Sequence, residues 1–433
     1  MVFLTTVTHT QLMPGVRLTA VQTEKFKSSQ FSVCFLAPLD EKTAAANALL
    51  PNVLRRGCRR FPDMQAIAAE LDELYGGSIS TLVNKKGETQ CIGFTARVLD
   101  DAYALNKEDI LLPAARLLGE LLLDPAVENG VFRADYVESE RANLIDRIRA
   151  QRNDKRRYSM LRLAQEMCPD EAYGVDRLGD EAHAAAITPA SLWERYQSLL
   201  RESQVQICYC GSADCTRVEQ VMRQALAALP VNAARLQPDC QVRRSRAYDQ
   251  PKVVEEALDV TQGKLAIGLR TGGLCVWEQE YPALMLLNAV FGGTSMSKLF
   301  MNVREKLSLC YFASSMLEKM KGLMVVSSGI EFDKYQQARD EILAQLEACR
   351  RGDITPEELE GARSIVITAL QTVLDEQGSM EDYWLGMAVA GLEETPEQLV
   401  GRLEQVTPDQ VVAAAQRLEI DTIYFLKGKE GVQ

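Results

Sequence analysis

The sequence predicts an α+β protein of two duplicated αβ domains, each a mainly antiparallel sheet covered by helices. Three observations predict it. The chain has 433 residues, more than one hydrophobic core ordinarily holds, so two or more domains are expected. Apolar runs of period two alternate with runs of period three to four, the marks of strands and amphipathic helices. The order of elements also repeats as residues. Ile187-Thr188-Pro189 leads through a helical pattern to Val205-Gln206-Ile207-Cys208-Tyr209-Cys210-Gly211, and Val406-Thr407-Pro408 leads to Thr422-Ile423-Tyr424-Phe425-Leu426-Lys427-Gly428. A looser pair, Asn47-Ala48-Leu49-Leu50 and Leu286-Leu287-Asn288-Ala289, lies on helices that run into Gly57 and Gly293. Two such copies imply a repeated unit whose sheet is covered on one side by helices.

Residues 15–23 and 30–36 alternate like paired strands. Residues 43–56 form an Ala-rich helix with Leu49, Leu50, Val53 and Leu54 inward, ended by Gly57, and 63–75 form a second, stopped by Gly76-Gly77. Residues 78–83 and 89–98 make a hairpin around Asn84-Lys85-Lys86-Gly87. Helices follow at 109–123, at 129–167 as one long helix or two in series, and after Thr188-Pro189. Residues 204–210 are a strand and 214–228 a helix. Residues 230–250 lack an apolar period and hold several Arg, Asn and Pro, which makes them a linker between domains 1–229 and 251–433. In the second half, strands fall at 253–260, 264–269, 323–330 and 422–426. Helices fall at 278–290, 332–350, 355–374, 380–391, 395–403 and from Thr407-Pro408. Thr355-Pro356-Glu357-Glu358 has the pattern of a capping box with Pro at the first helical position.

A charged fraction of 25% beside 47% hydrophobic residues is that of a soluble globular protein. With a net charge of −12 and no basic stripe interleaved with aromatics, nucleic acid is excluded as a partner. Arg55, Arg56, Arg59 and Arg60 form a local cluster, read as a solvated helix end or as a basic patch facing peptide. No apolar run nears the roughly 20 residues of a membrane span, and residues 1–20 lack a secretory pattern. Eleven scattered cysteines fit reduced thiols, so the expected location is cytoplasmic.

Residues 291–315, FGGTSMSKLFMNVREKLSLCYFASS, carry the most informative pattern. After Gly292-Gly293, the positions Met296, Leu299, Phe300, Val303 and Leu307 predict one apolar helix face, with Arg304 and Lys306 off it. Leu309, Tyr311 and Ala313 then alternate as in a strand. Spacing alone makes Arg304 a solvated helix residue and Tyr311 a core tyrosine. The run Phe291-Gly292-Gly293, Ser295, Ser297, Leu299-Phe300, Val303-Arg304-Glu305-Lys306, Leu309 and Tyr311 nonetheless resembles the second half of pitrilysin/insulinase-family zinc peptidases in their two-domain, processing-peptidase form. It departs at Ser308, where the family has Gly. The resemblance implies that Arg304 and Tyr311 hold substrate backbone over the zinc site of a facing half.

The family's first half carries His-x-x-Glu-His on the helix before a Gly, two zinc ligands one turn apart with the base that activates water. Counting back from Gly57, those positions are Ala48, Leu49, Leu50, Pro51 and Asn52. The whole chain has two His, His9 and His183, neither in that context. The third family ligand is a Glu seven residues after another Glu. Glu140 matches the first, and Arg147 stands at the ligand position. Glu138 is placed to pair with Arg141 along the helix.

No metal or other cofactor is therefore expected in this chain, and no catalytic residue. The resemblance implies a half-shell of two domains, joined by a zinc-motif-bearing homologous subunit that supplies the zinc. The first functional expectation is a non-catalytic, substrate-holding subunit of a heterodimeric zinc peptidase acting on peptides. The alternative is a structural assembly protein on the same fold.

Overall fold

In the computed structural model, which describes residues 5–238, 242, 244 and 249–429, the chain divides into two units. Unit 1 takes residues 1–149, 175–239 and 376–392, and unit 2 takes residues 150–174, 240–375 and 393–433. Both are α+β, each built on a largely antiparallel sheet.

Unit 1 contains β1 (Thr6–Met13), β2 (Val16–Gln22), β3 (Ser28–Pro38), β4 (Ser78–Lys86), β5 (Thr89–Leu99), the short pair β6 (Val127–Glu128) and β7 (Val131–Phe132), and β8 (Gln204–Gly211). Its main sheet runs β1-β2-β8-β3-β5-β4. Residues 15–23 and 30–36 are therefore not the direct partners that the sequence suggested. Val205 of β8 lies opposite both Val16, in parallel register, and Phe35, in antiparallel register. The reason is burial: β8 is covered on both faces over 205–211 and belongs in the middle of a sheet.

Unit 2 contains β9 (Lys252–Leu258), β10 (Gly263–Arg270), β11 (Cys310–Glu318), β12 (Leu323–Ile330) and β13 (Glu419–Gly428), ordered β11-β12-β10-β13-β9. Position for position this is β4-β5-β3-β8-β2, including one parallel pair in each, β9 with β13 and β2 with β8. The repeat seen as Thr-Pro dipeptides is thus a repeat of topology. Those dipeptides act locally: Thr188, Thr355, Thr395 and Thr407 each cap a helix whose first residue is Pro, and each closes a capping box.

The helical pattern over 129–167 resolves into Ala134–Ala150 and Lys155–Met167, the second started by the Asp154 side chain accepting from the Arg156 and Arg157 amides. Helix Lys155–Met167 belongs to unit 2, and helix Gln377–Ala390, far along the chain, belongs to unit 1. The units thus differ from a contiguous division at 230–250 by these two exchanged segments. Of that stretch, residues 239–241, 243 and 245–248 lie outside the described residues.

The exchange gives each sheet a helix on the face opposite its main core. In unit 1, Phe31, Val33, Phe35, Ile207 and Tyr209 join the core with Leu49, Leu117, Leu192 and Val218. Their neighbours along the strands point the other way, as strand alternation requires. There Gln377 Nε2 donates to the Ser28 and Cys210 carbonyls at 2.7 and 2.9 Å. Gln30 Nε2 donates to Glu381 at 2.5 Å. In unit 2, Tyr158 and Leu163 pack with Ala266, Tyr424 and Leu426. A Cβ on Gly268 would lie 2.6 Å from Met167 Sδ, so this glycine lets the helix approach the sheet. No helix among the described residues is long and apolar enough to cross a membrane.

Candidate functional site

Helix Glu41–Leu54 begins where the Asp40 carboxylate accepts from the Lys42 amide. Ala48 and Pro51 are carried into the core, and Asn52 is half-buried. Asn52 folds back on its own helix, its Nδ2 donating to the Ala48 carbonyl at 3.2 Å. One residue earlier, buried Asn47 accepts from Arg195 Nε at 2.7 Å and donates to Gln90 at 2.8 Å. Ala48 and Pro51 offer a metal no side-chain donor, and Arg147 brings a cation to the third position. These residues do not fit zinc.

Glu140 is engaged on both oxygens, by Arg56 Nη1 at 3.1 Å and by Asn143 Nδ2 at 3.2 Å. Arg59 pairs with Asp124 and Arg60 with Glu120, so much of the arginine cluster is tied into local ion pairs. The expected Glu138–Arg141 pair is replaced: Arg141 Nη1 donates to the Ile187 carbonyl at 2.6 Å.

Arg147 lines a cavity of about 390 Å³ in unit 1. Its other walls are residues 81–84 of β4, Thr95, Arg177, and Glu381 and Asp382 from helix Gln377–Ala390. Burial draws the Arg147 pKa down, and the charge of Arg177 draws it further, against a smaller opposing effect of Glu140. Arg177 Nη1 donates to the Val83 carbonyl at 2.6 Å. Glu381 accepts from Gln30 and, at 2.9 Å, from Thr95, while Asp382 accepts from Lys86 Nζ at 2.7 Å. Arg177, Glu381 and Asp382 escape sequence reasoning, because they come from a loop and from a helix far along the chain.

The second candidate pair lies in unit 2. Helix Tyr281–Asn288 continues into a π-helical turn, Ala289–Gly293, and a second π-helical segment covers Leu299–Lys306. The predicted apolar face is therefore split: Leu299 and Val303 are buried, whereas Met296 and Leu307 are 63% and 40% exposed. Met296 lies in the turn before the second segment and Leu307 just past its end, so neither shares its buried face. Ser308 then takes the left-handed conformation, φ +50°. Arg304 is exposed, its guanidinium 4.6 Å from the Phe300 ring centroid and 3.5 Å from Glu305.

In β11, Cys310 faces Ile330 and Phe312 faces Gly329, so Tyr311 is the extra residue of a β-bulge. The bulge turns Tyr311 outward, 63% exposed, between buried Leu309 and Ala313, and its hydroxyl donates to Glu331 at 2.7 Å. That hydrogen bond raises the Tyr311 pKa. The core-tyrosine reading fails here, because the inserted residue breaks the alternation.

Residues 186–366 match the family described as "Peptidase M16 inactive domain". A Bacillus subtilis protein named "Probable inactive metalloprotease YmfF" is 36% identical over 96% of this chain and 97% of its own length. Among solved structures, a conserved protein from Enterococcus faecalis superposes with a TM-score of 0.87 at 28% identity, covering 99% of this chain and all (100%) of that one. A peptidase M16 inactive domain from Pseudomonas fluorescens gives 0.78 at 19% identity, over 99% of both chains.

Proposed function

The chain belongs to the peptidase M16 family, and from that membership we propose that it is a non-catalytic subunit that holds peptide for a zinc-bearing homologous partner. It is an inactive homologue of that family by its replaced motif, and zinc with its activated water belongs to the partner. The observation that carries the reading is an asymmetry. Arg304 and Tyr311 stand exposed, Tyr311 by way of a bulge, while Ala48, Pro51, Asn52 and Arg147 occupy the metal positions. A bulge that re-aims one side chain is a device of functional edges. Edge strand β4 in unit 1 and edge strand β11 in unit 2 also leave backbone groups open on one side, where an extended peptide can add. The ten described cysteines are all unpaired, which supports a reducing, cytoplasmic location.

Reconstitution tests this. The purified chain alone should bind no stoichiometric zinc and show no chelator-sensitive cleavage, and mixing with an HxxEH-bearing homologue should give cleavage. In the mixture, Arg304→Ala and Tyr311→Phe should slow turnover on the order of 10²-fold, the usual cost of losing a donor that acts in the transition state. Their melting temperatures should not change. Cleavage by the isolated chain, or normal turnover in both variants, sinks the proposal. Recovery from cells of a large assembly in place of one zinc-motif homologue would favour the structural role.

A further inference from the structure

We infer that the unit 1 cavity is a carboxylate site, in which Arg147 and Arg177 together hold an acidic group of a bound peptide. The inference rests on the peptide-holding reading for its ligand class, and on the cavity's own geometry for its charge preference.

Two guanidinium groups line one cavity, close enough for the charge of Arg177 to lower the proton affinity of Arg147. Like charges held together are costly unless an anion joins them. Among the described residues, the Arg147 side chain makes no ion pair or hydrogen bond. Arg177 spends one nitrogen on the Val83 carbonyl, leaving the rest of its fork. None of the nearby acids bonds to either arginine. Glu140 is held by Arg56 and Asn143, Glu381 by Gln30 and Thr95, and Asp382 by Lys86. The lining therefore presents two arginines that make no ion pair among the described residues. A planar carboxylate matches it, because guanidinium forks bind carboxylates through two parallel, charge-assisted hydrogen bonds. The position where the family holds a cation thereby becomes one that holds an anion.

The carboxylate has two sources, a peptide C-terminus or an Asp or Glu side chain, and calorimetry on the intact chain separates them. Three six-residue peptides of one sequence serve: free C-terminus, C-terminal amide, and C-terminal amide with one internal Gln→Glu change. A carboxylate-bearing peptide should bind about tenfold or more tighter than the neutral amide, the worth of one hydrogen-bonded charge. A gain confined to the free C-terminus identifies the terminus, and a gain with internal Glu identifies the side chain. Arg147→Gln and Arg177→Gln should each erase most of the gain and leave binding of the neutral amide unchanged.

Arg147→Glu adds a control for folding. It places a carboxylate beside Arg177, so the melting temperature should hold or rise while the preference disappears. Equal affinity for all three peptides, no binding by any of them, or a preference untouched in the Gln variants overturns the inference. Failure of reconstitution with the preference intact would remove the zinc-partner reading alone. Loss of the preference with reconstitution intact would remove this inference alone.

Discussion

At the scale of residues, chemistry was legible wherever one side chain decides it. Ala48 and Pro51 bring no metal donor whatever surrounds them. What surrounds Arg147 was not legible, since Arg177 reaches the same cavity from a loop and Glu381 from a distant helix. Spacing alone misplaced Tyr311 in the core for a similar reason. A bulge is a relation between two strands, and the offset of β11 against Gly329 and Ile330 leaves no trace in local alternation. Ser308 carries the clearest residue-level prediction. It holds φ +50°, a conformation that glycine adopts without the Cβ clash. Ser308→Gly should raise stability by up to about 1 kcal/mol, read as a higher urea midpoint at unchanged slope. A lower midpoint would mean that the serine hydroxyl contributes more than the backbone strain costs.

At the scale of elements, most helices and strands were legible because each buries one face with its own period. Partner choice was not. The pattern of residues 380–391 says helix, but nothing in it says that its sheet is the one containing Ser28 and Cys210. Gln377 supplies that specificity: its amide donates to both carbonyls and accepts from the Ser28 hydroxyl at 2.8 Å. Gln377→Leu keeps the bulk and removes all three bonds, leaving buried carbonyls unpaired at a cost of about 1–3 kcal/mol. Hydrogen exchange should report the loss as faster exchange in helix Gln377–Ala390 and in the strands it covers, β3 and β8. Unchanged protection would mean that apolar contacts such as those of Met380 fix the helix without Gln377. The π-helical segments belong to this scale too. Their apolar spacing reads as α-helix, and the Gly292-Gly293 pair gives no count of residues per turn.

At the scale of the whole molecule, each unit carries a partly or fully buried carboxylate that ties distant segments together, which makes acid stability a common property. In unit 1, burial alone would raise the Asp100 pKa. Hydrogen bonds from the Ser212 hydroxyl and amide, the Ala102 amide and the Ser29 hydroxyl outweigh it and hold the carboxyl below its usual range. In unit 2, burial likewise pushes Glu256 up. Tyr158 and Tyr424, at 2.7 and 2.8 Å, and Arg162, at 3.2 Å, pull it below. Tyr158 and Arg162 belong to the exchanged helix, so Glu256 fastens that helix to β9 and β13. A carboxylate with a depressed folded pKa contributes its full stability above the unfolded value, about 4, and loses it as pH falls through the folded value. The folded chain should therefore hold steady near neutrality and weaken below about pH 4. Asp100→Asn should lower the urea midpoint at neutral pH and flatten the acid decline of unit 1, and Glu256→Gln should do so for unit 2. Hydrogen exchange, resolved by segment, assigns each change to its unit. An acid decline equally steep in the double variant would place the responsible protons on other groups.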